Sequence, residues 1–206
     1  SSAASDVYKR QYLNRLHLKK GFIYKNYATG GTENNEFVRM YFTDYNAKKC
    51  DTIRMKIEEW YQEKLINDSE YYFLLASLIE YIDEVANTAS VYGAFLKEYK
   101  KSSLQKFELR PLPIIKNDKN NVVYNMDANE LVKQIECDIM YLDPPYNNRV
   151  YGDNYHVLET ISKYDDPDIK GKTGNRVEKT LSSYSRKTEV KKAFTDLIHN
   201  IKSKYI

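Results

Sequence analysis

Glycine is scarce in this sequence, which has seven glycines among 206 residues, about half the usual share of roughly 7%. No two of them are spaced as G-x-G. The chain therefore lacks the glycine loop with which many nucleotide-binding proteins hold a phosphate or a cofactor. Any cofactor site in the chain is built in another way or is incomplete.

Cysteine and long apolar runs are scarce as well. The two cysteines, Cys50 and Cys137, do not have the spacing of metal ligands, which argues against a disulfide framework and indicates a reducing compartment. The longest apolar runs, such as residues 71–79, are too short to span a membrane, and no signal-peptide pattern opens the chain. We therefore predict a cytoplasmic protein without a membrane segment.

The composition, with 42% apolar and 30% charged residues, is that of a folded chain rather than a disordered one. A net charge of +3 permits nucleic-acid binding only if the basic residues cluster. Residues 1–11 show no apolar period, and DVYKRQ at 6–11 matches one reading frame of a transposon-end sequencing adaptor. We expect residues 1–11 to be such a scar, outside the natural fold.

Residues 12–43 are a connecting segment, and residues 44–110 are rich in helix signals. A first helix follows Tyr41, with Asp44 or Asn46 as its cap, and Asn67 begins a second. Apolar residues recur at three- and four-residue steps in both helices. They are Ile53, Ile57, Trp60 and Tyr61 in the first, and Tyr72, Leu75, Leu78, Ile79, Ile82 and Val85 in the second. Such stripes are typical of helices that pack against a core.

Residues 87–101 combine lysines with aromatic residues. Lys97, Lys100 and Lys101 alternate there with Tyr92, Phe95 and Tyr99. This mixture is suited to DNA, because the lysines can contact phosphates while the rings hold position. An ordinary solvent-exposed charged surface is an equally good interpretation.

From residue 111 onward the pattern alternates between strands and helices, which favours an α/β fold with a parallel sheet. Strands are predicted over 122–126 and 138–142, helices over 128–135 and 191–201, and the start of a further strand at 205–206. The second strand ends at Asp143, because Pro144 and Pro145 cannot continue a ladder.

The tetrapeptide Asp143-Pro144-Pro145-Tyr146 therefore lies at the carboxyl end of a strand, where open α/β sheets bind their ligands. The Asp143 carboxylate and the Pro144 carbonyl, held rigid by the two prolines, can accept the two N–H groups of an exocyclic amine. The amine lone pair then points at an electrophilic methyl group, and the transfer depends on positioning. The ring of Tyr146 would stack on a flipped-out base.

Residues 13–201 resemble the Dam-like adenine-specific DNA methyltransferases of bacterial restriction systems. Besides DPPY, the resemblance rests on the run NNRVYGDNYHVLETI at 147–161, on GFIYKNY from Gly21, on ANTASVYGAFLK from Ala86 and on GKTGNR from Gly171. It implies an incomplete Rossmann-like S-adenosylmethionine-dependent core with a helical insertion at 44–110 and the core at 111–206. DPPY alone also occurs in RNA and cytosine-amine methyltransferases.

The resemblance implies that Asp143, Pro144 and Tyr146 orient the N6 amine of adenine, and that Asp127, together with Asp143, binds S-adenosylmethionine. Asp127 ends the first predicted strand, so both carboxylates should lie at one sheet edge. Double-stranded DNA is the implied partner. Its contacts would come from Tyr92, Lys97, Lys100, Lys101, Arg149, Tyr151, Lys172 and Arg176. For His156, either a role in a loop that closes over the base or a structural role on its helix is open, and the structural role is favoured.

The F-x-G-x-G cofactor loop of that family has no counterpart in the sequence and would lie before Tyr12. We therefore expect a piece truncated at both ends that binds S-adenosylmethionine poorly. The resemblance implies direct methyl transfer without a metal or a covalent intermediate. The alternatives are an RNA or cytosine-amine methyltransferase and a non-catalytic DNA-binding remnant. The presence of a cognate restriction endonuclease is left open.

Overall fold

The computed structural model describes residues 3–114, 117–145, 151–178 and 182–206, with residues 3–7 and 151 as backbone only. The helices are α1 (Ala3–Arg15), α2 (Phe22–Tyr27), α3 (Thr29–Thr32), α4 (Asp44–Gln62), α5 (Asp68–Glu84), α6 (Ala128–Leu131), α7 (Tyr151–Lys163) and α8 (Val190–Asn200). The strands are β1 (Cys137–Ile139), β2 (Ile169–Lys170), β3 (Asn175–Arg176) and β4 (Ser203–Tyr205). A 3₁₀ turn covers Ser183–Ser185.

These elements form two compact units. The helical unit comprises residues 1–114 and 153–178, and the second unit comprises residues 115–152 and 179–206. The division differs from the predicted boundaries, because residues 153–178 were expected in the catalytic core and pack with the helical unit instead. Among the described helices, none combines the length and the apolar character that crossing a membrane requires.

Helices α4 and α5 confirm the two predicted helices. Thr43 caps α4, since its side chain accepts the Asn46 N–H, so the observed cap lies one residue before Asp44, the first of the two predicted caps. Asn67 caps α5 in a reciprocal capping box with Glu70. The predicted stripes are buried in the core of the helical unit at Ile53, Ile57, Leu78 and Ile82, whereas Tyr72 is exposed.

Buried polar side chains hold the irregular segments of the helical unit together. The Asp51 carboxylate accepts the backbone N–H groups of Gly21, Ile23 and Tyr24, which begin α2, and the hydroxyl of Tyr164. The Arg54 guanidinium donates to the carbonyls of Ile161 and Ser162, near the end of α7. These bonds satisfy backbone groups that no helix or sheet provides for.

The second unit contains a parallel strand pair and a small apolar cluster. Strand β1 pairs with β4, with Cys137 opposite Ser203 and Ile139 opposite Tyr205. Helix α8 confirms the predicted helix at 191–201 and packs its buried Leu197 with Val132 and Tyr184. The parallel pairing agrees with the predicted parallel sheet.

Three predictions for the second unit differ from the structure. Residues 122–126 form no strand, because no neighbouring strand pairs with them in the described chain and the side chains of Val122 and Val123 are exposed. The helix expected over 128–135 ends at Leu131. The strand expected over 138–142 is shorter and begins one residue earlier, since its ladder covers Cys137–Ile139.

Candidate functional site

The DPPY motif begins shortly after β1, with residues 140–142 between the end of the strand and Asp143. The last bond that this end of the ladder makes is from the Met140 N–H to the Tyr205 carbonyl, at 2.9 Å, and the two prolines that follow Asp143 have no N–H to donate. The side chain of Asp143 is exposed, and Pro144 and Pro145 are half-buried. Tyr146 lies outside the described residues. An exposed carboxylate and a neighbouring proline carbonyl can accept hydrogen bonds from the two N–H groups of an amine.

Asp127 caps a helix rather than ending a strand. Its Oδ1 accepts the N–H groups of Asn129 at 2.9 Å and Glu130 at 3.3 Å, and the residue is exposed. The strand beside β1 is β4, so the argument that placed Asp127 and Asp143 at adjacent strand ends does not hold for these residues. Both residues belong to the second unit.

S-adenosylmethionine, the implied cofactor, fits these residues in part. The exposed Asp127 carboxylate can accept a hydrogen bond from an adenine amine, and the exposed Asp143 carboxylate can lie near a methyl group. The sequence offers no glycine loop for the remainder of such a molecule. The described residues include no cluster of three or more histidine, cysteine or carboxylate side chains that could hold a metal ion.

Residues 87–101 form an irregular segment on the helical unit. Lys97 and Lys101 are exposed, whereas the Lys100 ammonium donates to the Thr88 carbonyl at 3.0 Å. The aromatic residues fix the segment to the core: the Phe95 ring packs edge-on against Tyr41, and the Tyr99 hydroxyl donates to the Phe42 carbonyl. The segment therefore presents lysines on an anchored backbone.

Tyr92 was expected to contact DNA, and the structure places it in the core instead. Its side chain is 0% exposed, and its hydroxyl donates to the Asp83 carboxylate at 2.6 Å. Burial, followed by the neighbouring Asp83, raises the pKa of this hydroxyl well above its ordinary value. A side chain enclosed in this way cannot reach a phosphate or a base.

Asn87 organises the lysine segment and was not singled out from the sequence. It is fully buried. Its side-chain amide donates to the Leu96 carbonyl at 3.1 Å, and its Oδ1 accepts the Lys100 N–H at 3.0 Å. A polar residue between the apolar Val85-Ala86 pair and Thr88 is the only sequence signal of this role.

The GKTGNR segment forms a hairpin between β2 and β3. Lys172 is exposed, as a DNA-contacting residue must be. Arg176 is buried, and its Nη1 and Nη2 donate hydrogen bonds to the two oxygens of the Asp165 carboxylate, at 2.8 and 2.5 Å. The hydrogen bond from Arg176 lowers the pKa of Asp165. Arg176 therefore holds the hairpin, and the structure does not leave it available to DNA.

Of the predicted contacts in the 147–161 run, Arg149 lies outside the described residues, and Tyr151 begins α7 with its side chain undescribed. His156 is buried between the rings of Tyr27 and Tyr41, at centroid distances of 6.0 and 5.8 Å. Its Nε2 lies 2.8 Å from the Thr173 carbonyl. Burial lowers its pKa, which favours a neutral ring. This environment supports the structural role favoured for His156.

Sequence comparisons identify a family that matches nearly the whole chain. The family model described as D12 class N6 adenine-specific DNA methyltransferase matches residues 3–205. The Type II methyltransferase M.NlaIII of Neisseria lactamica is 49% identical over 197 residues, which are 95% of this chain and 57% of that protein. M.FokI of Planomicrobium okeanokoites is 47% identical over 169 residues, covering 82% of this chain and 26% of that protein.

A viral relative, M.CviAII of Paramecium bursaria Chlorella virus 1, is 39% identical over 188 residues, covering 89% of this chain and 53% of that protein. The chain thus spans between about a quarter and somewhat over half of the length of these relatives. No solved structure matches it. The family match extends over nearly the whole sequence, and the chain belongs to the D12 class of N6 adenine-specific DNA methyltransferases.

Proposed function

We propose that the protein encoded by this reading frame transfers a methyl group from S-adenosylmethionine to the N6 amine of adenine in double-stranded DNA. The observation that carries the proposal is the position of DPPY, separated only by residues 140–142 from the end of β1, a strand of a parallel pair, in a chain of the D12 class. We also propose that β1 and β4 belong to a Rossmann-like sheet, whose ligands bind at the carboxyl ends of its strands. The cytoplasmic location stays a prediction.

Asp143 and Pro144 hold the target amine in this proposal. The carboxylate and the proline carbonyl each accept one N–H, and the amine becomes pyramidal with its lone pair free. S-adenosylmethionine supplies a methyl group on a positively charged sulfur, and Asp127 accepts a hydrogen bond from its adenine. Tyr146 stacks on the flipped base. The residues of this chain thus contribute orientation rather than a covalent intermediate.

Lys97, Lys101 and Lys172 contact the DNA backbone in this proposal. All three are exposed, and they lie on two segments that side chains anchor to the core, residues 87–101 and the hairpin. Lysines that neutralise phosphates release counterions, so each contact steepens the dependence of affinity on salt. The roles of Arg149 and Tyr151 in DNA binding stay predictions.

The catalytic assignment is tested by Asp143→Ala in the full reading frame. The variant should lose methylation by a factor of at least about 10², while its affinity for DNA stays within a few fold. Asp138→Ala is the matched control, because Asp138 lies in β1 shortly before the motif, is also exposed and pairs with Lys204 at the surface. Methylation by Asp143→Ala at the control's rate would overturn the role of the motif.

The DNA assignment is tested by the salt dependence of binding. Lys97→Ala, Lys101→Ala and Lys172→Ala should each lower affinity uniformly across DNA sequences and reduce the log–log salt slope by about one. Lys133→Ala removes the same charge from a surface ion pair with Glu130 in the second unit and should leave the slope as it is. A slope unchanged in all the lysine variants would contradict phosphate contact.

A further inference from the structure

The hairpin between β2 and β3 is exposed at Lys170 and Lys172, yet its backbone is held from four directions. The carbonyls of four consecutive residues, 171–174, each accept a hydrogen bond from a side chain elsewhere in the helical unit. Surface loops usually direct such carbonyls to water. In this hairpin they bond instead to side chains of the helical unit, which restricts the conformations open to the turn.

Arg39 makes the largest share of these bonds. Its Nη2 donates to the Gly171 carbonyl at 2.9 Å and its Nε to the Lys172 carbonyl at 3.2 Å, while its Nη1 donates to the Asn26 carbonyl at 3.1 Å. Arg39 is 7% exposed. The planar guanidinium fixes the directions of all three bonds, which a lysine ammonium cannot reproduce.

Tyr27 and His156 hold the next two residues. The Tyr27 hydroxyl donates to the Gly174 carbonyl at 2.9 Å, and His156 Nε2 lies 2.8 Å from the Thr173 carbonyl. Burial raises the pKa of Tyr27 to about 12, so its hydroxyl remains a donor at neutral pH. The ion pair between Arg176 and Asp165 fixes the far end of the hairpin.

The position of Gly174 beside Arg39 and Tyr27 requires a glycine. Its φ of +69° is one that side chains disfavour, and a Cβ there would lie 2.9 Å from both Arg39 Nε and the Tyr27 ring. Gly171 has nearly the same φ, +70°, so a side chain there would meet the same backbone strain, but nothing lies within 4 Å of a Cβ at that position. Alanine substitutions at these two glycines therefore separate the effect of backbone strain from the effect of displacing Arg39 and Tyr27.

We propose that Arg39 is a positioning residue for DNA binding, because it fixes the hairpin so that Lys172 meets a backbone phosphate without further ordering. This inference rests on the proposed function and adds to it a residue that touches no DNA. A loop ordered in advance spares the complex the entropy cost of ordering it on binding. The exposed Lys172 supplies the charge, and the buried Arg39 supplies its position.

The experiment is a double-mutant cycle between Arg39→Lys and Lys172→Ala in the full reading frame, with steady-state methylation of duplex DNA as the readout. Arg39→Lys keeps the positive charge and removes the planar guanidinium, whose N–H groups make the three hydrogen bonds. It should raise KM for DNA roughly tenfold with kcat within about twofold. The entropy cost of ordering a side chain or loop on binding typically weakens affinity by about that factor. In the Lys172→Ala background the same substitution should change KM little, because its effect passes through Lys172.

Gly174→Ala and Gly171→Ala test the inference if Arg39→Lys fails to fold. Gly174→Ala should raise KM for DNA by several fold more than Gly171→Ala, because only the former displaces Arg39 and Tyr27. An equal KM in the two glycine variants would overturn the positioning role. So would an Arg39→Lys effect on KM of the same size with and without Lys172. In either case, methylation by the wild-type protein would still support the proposed function. If the wild-type protein neither binds nor methylates DNA, the proposed function fails and the inference fails with it.

Discussion

At the scale of single residues, the helical unit depends on buried polar side chains that bond to backbone groups. Each of four such residues bonds to two or more backbone groups outside its own element. They are Arg39, Asp51, Arg54 and Asn87. Much of this unit is irregular, and its buried backbone groups need partners outside helices and sheets. Removing one such side chain leaves several groups unpaired at once.

Asn87→Ala should lower the free energy of unfolding by roughly 2 kcal/mol, because the Leu96 carbonyl and the Lys100 N–H lose their partner. Urea unfolding of the chain, followed by the fluorescence of Trp60, its one tryptophan, measures the change. Asn34→Ala, at an exposed asparagine, is the control and should stay within about 0.5 kcal/mol. Equal stability of the two variants would contradict the role of Asn87.

His156 makes stability depend on pH. Burial, the largest influence, lowers its pKa in the folded chain from the ordinary 6.5, so the unfolded chain binds more protons below that pH. Stability is therefore full above pH 6.5 and falls as the pH decreases towards the folded pKa. Thermal unfolding of the wild type should show a steeper loss between pH 7 and pH 5 than that of His156→Gln. Parallel pH profiles would contradict the assignment.

At the scale of elements, the sequence predicts best where apolar period and capping agree. Helices α4, α5 and α8 have periodic apolar residues, and α5 begins with a capping box. The apolar run at 122–126 was misleading, because a short strand exists only through a neighbour that pairs with it, which composition does not reveal. The hairpin was expected as a loop with DNA contacts, whereas its anchors Arg39 and Tyr27 lie more than a hundred residues away.

The candidate site was predictable only where its residues are neighbours in sequence. DPPY is contiguous, so the sequence alone places Asp143 after a strand. Tyr92 and Arg176 were assigned to DNA by their residue types, but the Asp83 and Asp165 carboxylates that bond them become visible only in three dimensions. The residue type of a basic or aromatic residue in a motif does not reveal whether its side chain points into the core or towards solvent.

The capping box of α5 provides a quantitative test at this scale. Asn67→Ala should destabilise the helical unit by about 1 kcal/mol, because the Glu70 N–H loses its acceptor. Asn67→Ser keeps an acceptor at the same position and should be near the wild type. Urea unfolding monitored by Trp60 fluorescence compares the two, and an alanine variant as stable as the serine variant would argue against the cap.

At the scale of the whole molecule, the polar network and the catalytic motif are divided between the two units. Arg39, Asn87 and the hairpin belong to the helical unit, and Asp127 and Asp143 belong to the second unit. The helical unit thus contains the three lysines proposed to contact the DNA backbone, Lys97, Lys101 and Lys172, and the second unit contains Asp127 and Asp143, which are proposed for chemistry. Substitutions in the first should change KM for DNA, and substitutions at Asp143 should change kcat.

The scarcity of glycine leads to a prediction about the cofactor. Residues 12–206 contain no G-x-G loop, so the ribose and methionine portions of S-adenosylmethionine have few contacts in this chain. Isothermal titration calorimetry of residues 12–206 should give a dissociation constant well above the micromolar range. Micromolar affinity would show that other residues of the chain form the cofactor site.

The central claim, adenine-N6 methylation directed by the DPPY motif, is tested most directly by mass spectrometry of nucleosides. The measurement uses DNA and RNA from a host without adenine methylation that expresses the full reading frame or its Asp143→Ala variant. The account predicts N6-methyladenine in the DNA of the wild-type culture and none in that of the variant. N4-methylcytosine, methylation confined to RNA, or equal N6-methyladenine in both cultures would contradict it.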